Sequence, residues 1–209
     1  IGFNVFTMHY SGSWGSTGPF SFANAMEDVR TMIDFIKGHD VVEGCHMDED
    51  QFFLCGHSMG GFITLRTLAA VKGIKAGCVI APYDFGQQSI LAETDSDAKK
   101  NLDDLLAEGG PWLDGTDNKA LRQELLDHDR EYAVSNITKE LSRVPLMVVA
   151  AKYDECAVTK IQGRFIYDSI EAENGGLVHY KELPTDHGFS NSRCALAETV
   201  GSWFVSNVE

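Results

Sequence analysis

Ser58 lies in the pentapeptide Gly56-His57-Ser58-Met59-Gly60, with a glycine two residues to either side. Glycine tolerates backbone turns that side chains forbid. The apolar run Phe52-Phe53-Leu54-Cys55 just before it reads as a buried strand ending there, so the pattern predicts a sharp turn that lifts the serine out of a sheet. A serine hydroxyl at its free pKa is a poor nucleophile. It needs an imidazole within hydrogen-bond reach to take its proton, and a carboxylate to hold that imidazole in the right tautomer. In a parallel sheet such partners sit just past the C-terminal ends of strands. Two positions fit: Asp154 in AAKYDECAV, after the apolar run 145–151, and His187 in PTDHGFS, after the run 177–183. His57 is read as packing or bonding locally within the turn. His9, His39, His46, His128 and His179 have no acid placed to match.

The elements that must position these residues follow from periodicity. Residues 3–10, FNVFTMHY, read as a strand, and SGSWGSTGP at 11–19 as a loop. Apolar residues at Phe22, Met26, Val29, Ile33 and Ile36 predict a helix over 22–37, with Gly38 where a C-terminal cap would stand. A polar loop at 44–50 leads to the strand 51–55, the Ser58 turn and a helix over 59–71 carrying Phe62, Leu65, Leu68 and Ala69. Strands follow at 74–81, 145–151 and 177–184, with helices at 159–172 and 192–206. The last of these would bury Leu196, Val200, Trp203 and Phe204. Strands alternating with helices predict an α/β domain with a mainly parallel sheet. Residues 84–143 interrupt the alternation with two helical patterns, Ala98/Leu102/Leu105/Leu106 and Leu121/Leu125/Leu126, and are read as a helical insertion, a cap beside the site, within a single domain spanning 1–209.

The composition restricts the partners. With 17 basic and 31 acidic residues the formal net charge is −14, and no cluster of five Lys/Arg occurs, which disfavours nucleic acid and anionic membrane surfaces. The sequence has no apolar run of the ~18 residues a spanning helix requires. Five widely spaced cysteines, odd in number and partly within apolar runs, suit small buried hydrophobes in a reducing compartment, so a cytoplasmic location is expected. The contiguous run Cys45-His46-Met47-Asp48-Glu49-Asp50 carries metal-ligand types without scaffold spacing and is read as a solvated loop. Trp14 and Trp112 are read equally well as pocket lining and as core.

The G-x-S-x-G turn between a strand and a helix, with the chain order Ser58, Asp154, His187, resembles the α/β-hydrolase superfamily across essentially the whole chain. The loop HYSGSWGSTG, the turn GHSMGG and the segments AKYDECAV and DHGFSNSR are similar to the prolyl-oligopeptidase, dienelactone-hydrolase and serine-aminopeptidase-like groups. The resemblance implies a three-layer fold, with Ser58 as nucleophile, His187 as general base and then acid, Asp154 as its orienting acid, and the Met59 backbone N–H as one oxyanion donor. Asp84 in APYDFG is the competing acid, since some members carry it after the preceding strand. Ser11-Gly12 stands where these groups commonly have Arg-Gly, and Ala151 where a glycine often precedes the acid by three residues.

The second oxyanion donor in such folds comes from a loop on an earlier strand, for which no segment precedes Ile1. The expectation is therefore an N-terminally truncated fold, with a gap of roughly 9.5 Å, about two strand spacings, between 3–10 and 51–55. Weak turnover is expected of these residues alone, since one lost donor costs about 10² to 10³ in rate. The reaction implied is hydrolysis of a small-molecule carboxylic ester or a short peptide through an acyl-enzyme, without a cofactor. An acyltransferase with the same residues, or a non-catalytic binding module, are the alternatives. Oligomeric state is not fixed by the sequence.

Overall fold

A computed structural model of the protein describes residues 2–174 and 176–208. Its chain divides into two compact units, one formed by Met47–Asp84 with Val134–Glu209, the other by Phe3–His46 with Phe85–Ala133.

The first unit is built on four parallel strands in the order β1 (Phe53–His57), β2 (Ala76–Ile80), β3 (Leu146–Ala151), β4 (Val178–Leu183). β3, LMVVAA, is buried along nearly its whole length, as a strand covered on both faces must be. Alternate residues of β2 serve the two faces. Gly77 looks toward the helix α3 (Met59–Ala70), where an added Cβ would come within 2.4 Å of Leu68. Cys78 packs on the other face with Trp203 of the C-terminal helix (Arg193–Ser206), whose Nε1–H donates to Gly77 O at 2.8 Å. Helices on both faces of a parallel sheet make the three layers that the sequence predicts. The C-terminal helix buries Trp203, while Leu196, Val200 and Phe204 are only partly buried against the same cluster.

The second unit is helical. In it α1 (Phe22–Ile36) is capped by Ser21, whose Oγ accepts from Asn24 N, and α2 (His39–Gly44) follows at once. Gly38 does not take the left-handed conformation of a helix-ending glycine; it is extended, at φ −65° and ψ 137°, and opens α2. Between β2 and β3 the regular elements are helices, α4 (Phe85–Leu91), α5 (Ser96–Gly109), α6 (Asn118–Asp127), α7 (Asp129–Tyr132) and, back in the first unit, α8 (Thr138–Leu141). Glu124 of α6 ties this unit together, accepting from Phe22 N and Ala23 N at the head of α1 and from the Tyr132 hydroxyl. The loops 11–18 and 110–114 meet in an isolated bridge between Ser13 and Leu113, which leaves Trp14 and Trp112 stacked at 4.8 Å and 14°. Both indoles are exposed, so neither is core.

Residues 3–10 do not form the expected strand. The segment is irregular and largely exposed, Val5 at 81%, with Asn4 Nδ2 donating to Cys45 O. A β-rich composition makes a strand only where a ladder partner exists. Among the described residues β1 is paired on one side only, by β2, so the gap expected beside it has no strand to be measured from. β1 is accordingly not the buried strand its apolar run predicts, with Cys55 and His57 exposed. The cysteines are free, and Cys78 alone is fully buried. Among the described residues no helix is long and apolar enough to cross a membrane.

Candidate active site

Ser58 is the single residue between β1 and α3 and stands at φ 54° and ψ −117°, outside the regions that side chains favour. Neighbours impose this conformation. Ser58 N–H donates to Ile80 O at 2.9 Å, and Ser58 O accepts from Gly61 N at 2.9 Å and Phe62 N at 3.2 Å. The turn closes only because Gly56 and Gly61 lack side chains: a Cβ on Gly56 would lie 2.0 Å from Gly60 O, and one on Gly61 3.0 Å from Pro82 Cα. The obstacle at Gly56 is backbone and cannot swing aside. Gly56→Ala is therefore expected to cost about 3 kcal/mol, at the upper end of overpacking effects, read as a lower urea midpoint at unchanged m-value.

Because the Ser58 amide is committed to Ile80, it is not free to meet an oxyanion. The Met59 N–H heads α3 and has no acceptor within the helix, so it is the donor that the local backbone leaves available at the helix N-terminus.

Asp154 lies on the loop after β3. Its side chain is wholly buried and its Oδ1 accepts from Cys156 N at 2.9 Å and Ala157 N at 2.7 Å, an Asx turn that fixes the carboxylate plane. The remaining oxygen, Oδ2, accepts from His187 Nδ1 at 2.7 Å. His187 sits on the loop between β4 and the C-terminal helix, which we number α10 after α9 (Gly163–Asn174). With Nδ1 protonated and given to Asp154, the Nε2 lone pair of neutral His187 is left to accept a proton. Ser58 Oγ and His187 Nε2 are not hydrogen-bonded to each other in this structure.

Asp84, the competing acid, is buried elsewhere. Its Oδ2 accepts from Val134 N at 3.0 Å, and its own N–H donates to Gln162 Oε1. The structure therefore brings Asp154, not Asp84, to His187. Glu155 and Asp186 are exposed neighbours of the pair, and Asp186 accepts from Ser190 N, which lowers its pKa. The residue that sequence reading misplaced is His57: its Nε2–H donates to the backbone oxygen of His187, 130 positions away, at 2.9 Å. Desolvation holds its pKa below the ordinary imidazole value. No spacing rule could have found a bond of that span. The hint available was adjacency to Ser58.

A family profile described as serine aminopeptidase, S33, matches residues 1–183. The chain belongs to the serine aminopeptidase S33 family. That places it in the α/β-hydrolase superfamily, in agreement with the parallel sheet and its helical layers. The fold of this S33 chain is similar to that of an esterase from Pyrococcus furiosus, at TM-score 0.60 and 14% identity over 92% of this chain and 66% of that one. It is similar to a thermostable carboxyl esterase from Bacillus coagulans, at TM-score 0.62 and 15% identity over 93% and 75% of the two chains. An acylaminoacyl peptidase from Pyrococcus horikoshii matches at TM-score 0.58 and 17% identity, over 86% of this chain and 28% of that one. At such identities the likeness is one of fold. The S33 chain thus spans under two thirds of the Pyrococcus esterase and under a third of the peptidase. No curated protein matches it.

Proposed function

We propose that the protein is a serine hydrolase that cleaves a carboxylic ester or an amide bond, in a small molecule or short peptide, through an acyl-enzyme. The observation that carries the reading is the 2.7 Å bond from His187 Nδ1 to the buried Asp154 carboxylate, in the same unit as a serine held at left-handed φ at the head of a helix. Membership in a hydrolase family supports it, as do fold relatives that are themselves esterases and a peptidase.

On this reading Ser58 Oγ attacks the carbonyl carbon while His187 Nε2 takes its proton, and Asp154 stabilises the imidazolium that results. The oxygen that gains charge is met by Met59 N–H. His187 then gives its proton to the leaving alcohol or amine as the acyl–oxygen or acyl–nitrogen bond breaks. Water enters, loses a proton to His187 and releases the carboxylic acid from Ser58. No step is routed through a cofactor.

The test is intact mass after incubation of the protein with a fluorophosphonate. One phosphonyl adduct per chain, with fluoride lost and the adduct mapped to Ser58, is the expected result. A folded protein that stays unlabelled would sink the reading in favour of a binding module.

A further inference from the structure

We infer that His57 is a positioning residue for His187, holding the backbone of the general base from the nucleophile's side of the site. The inference rests on the hydrolase reading above and concerns how its base is kept in place.

His187 is fixed at two points by different elements. Its ring is held by Asp154, from the loop after β3. Its backbone carbonyl accepts from His57 Nε2–H, from the last residue of β1. A carbonyl oxygen only accepts, so the bond places the proton of neutral His57 on Nε2. The two imidazoles lie 4.7 Å apart at 44°, and the His57 ring also meets Phe189 edge-on at 6.4 Å and 77°. Phe189 is buried and stands at φ 53°, so the loop turns back sharply just after the base.

The other bonds of that loop are internal or come from the β3 side. Phe189 N donates to Asp186 O, Ser190 N to Asp186 Oδ1, and Thr185 Oγ1 to Asn191 Oδ1, while Tyr153 N donates to Thr185 O. Among the described residues, His57 ties β1 to this loop. Since Ser58 is the next residue, one side chain links the serine's turn to the base's loop across 130 positions of sequence. The separation between Ser58 Oγ and His187 Nε2 is then set by a hydrogen bond instead of by two independent loops.

The charge state of His57 fits this role. The titratable groups that face its ring are His187 and, beyond it, Asp154. The lowered pKa of His57, with desolvation the largest cause, favours the neutral ring, the form that does not oppose the positive charge His187 acquires when it takes the serine proton.

The test compares His57→Phe, which keeps a ring and loses the donor, with His57→Gln, whose side-chain amide can donate to the same carbonyl. Esterase kinetics and pH profiles are measured for both and for the parent, with circular dichroism to confirm folding. His57→Phe is expected to lower kcat about 10- to 100-fold with KM little changed, the signature of lost alignment. The acid limb of its kcat/KM profile is expected to move to lower pH, because an imidazolium held less well against Asp154 is less stabilised. His57→Gln is expected to recover most of the rate and to restore the limb. A His57→Phe protein with parental kcat and limb would overturn the inference, as would a glutamine variant no better than phenylalanine. A parent chain that a fluorophosphonate does not label at Ser58 removes the hydrolase reading itself, and is recognised before any His57 variant is compared.

Discussion

The Ser58→Ala protein is expected to hydrolyse ester and amide substrates about 10⁶-fold more slowly than its parent, with KM within a small factor. The substitution removes one oxygen and leaves the backbone of the turn alone. Alanine at φ 54° pays a strain similar to that of serine, and the bonds that fix the residue, from Ser58 N–H to Ile80 O and from Gly61 and Phe62 to its carbonyl, involve main-chain atoms only. Folding and substrate binding should therefore survive while covalent attack is lost. Turnover of a chromogenic ester, with urea unfolding to check that stability is unchanged, gives the answer. A variant within tenfold of its parent would end the assignment of Ser58 as nucleophile.

Asp154→Asn should lower kcat about 10⁴-fold, the size associated with locking the base in the wrong tautomer. The structure dictates how the new amide must sit. Oδ1 is claimed by the N–H groups of Cys156 and Ala157, so the asparagine oxygen takes that place and the Asx turn survives. The NH₂ group then falls where Oδ2 met His187 Nδ1. An N–H facing Nδ1 forces the imidazole proton onto Nε2, which removes the lone pair that would accept the serine proton. The fold should remain intact, whereas Asp154→Ala would also release two backbone donors in a buried loop and should destabilise it. Retention of parental kcat in a folded Asp154→Asn protein would return attention to Asp84.

Local chemistry made much of this legible in the sequence. The Ser58 turn could be read because glycine is irreplaceable where a Cβ would strike a carbonyl, and that constraint is written in the residues themselves. β3 could be placed because a strand covered on both faces is apolar over its length; β4, largely exposed between buried Val178 and Leu183, shows only a mixed run, and the ends of the two strands located Asp154 and His187. What failed depends on partners. FNVFTMHY has a strand's composition and no ladder, and β1 lies at 53–57, two residues beyond its apolar run, because register with β2 carries the strand through Gly56 and His57. α9 starts at Gly163, not 159, since the Thr159 hydroxyl donates to Ala151 O and holds that stretch in a turn. α4 and α7, of seven and four residues, are too short for a period to show. The His57 bond to His187 belongs with these failures, since tertiary proximity has no local signature.

The tryptophans give the two compact units separate optical labels. Trp14 and Trp112 belong to Phe3–His46 and Phe85–Ala133, Trp203 to the unit that carries the sheet. Two indoles stacked at 4.8 Å and 14° couple as excitons and contribute a paired positive and negative circular dichroism band, whereas the buried Trp203, bonded to Gly77 O, absorbs and emits as an isolated chromophore in an apolar setting. Loss of the couplet reports the loops around Ser13 and Leu113. A red shift of the Trp203 emission reports the sheet's own core. One denaturation series followed at both signals thus reads whether the chain melts as a single cooperative body or as two.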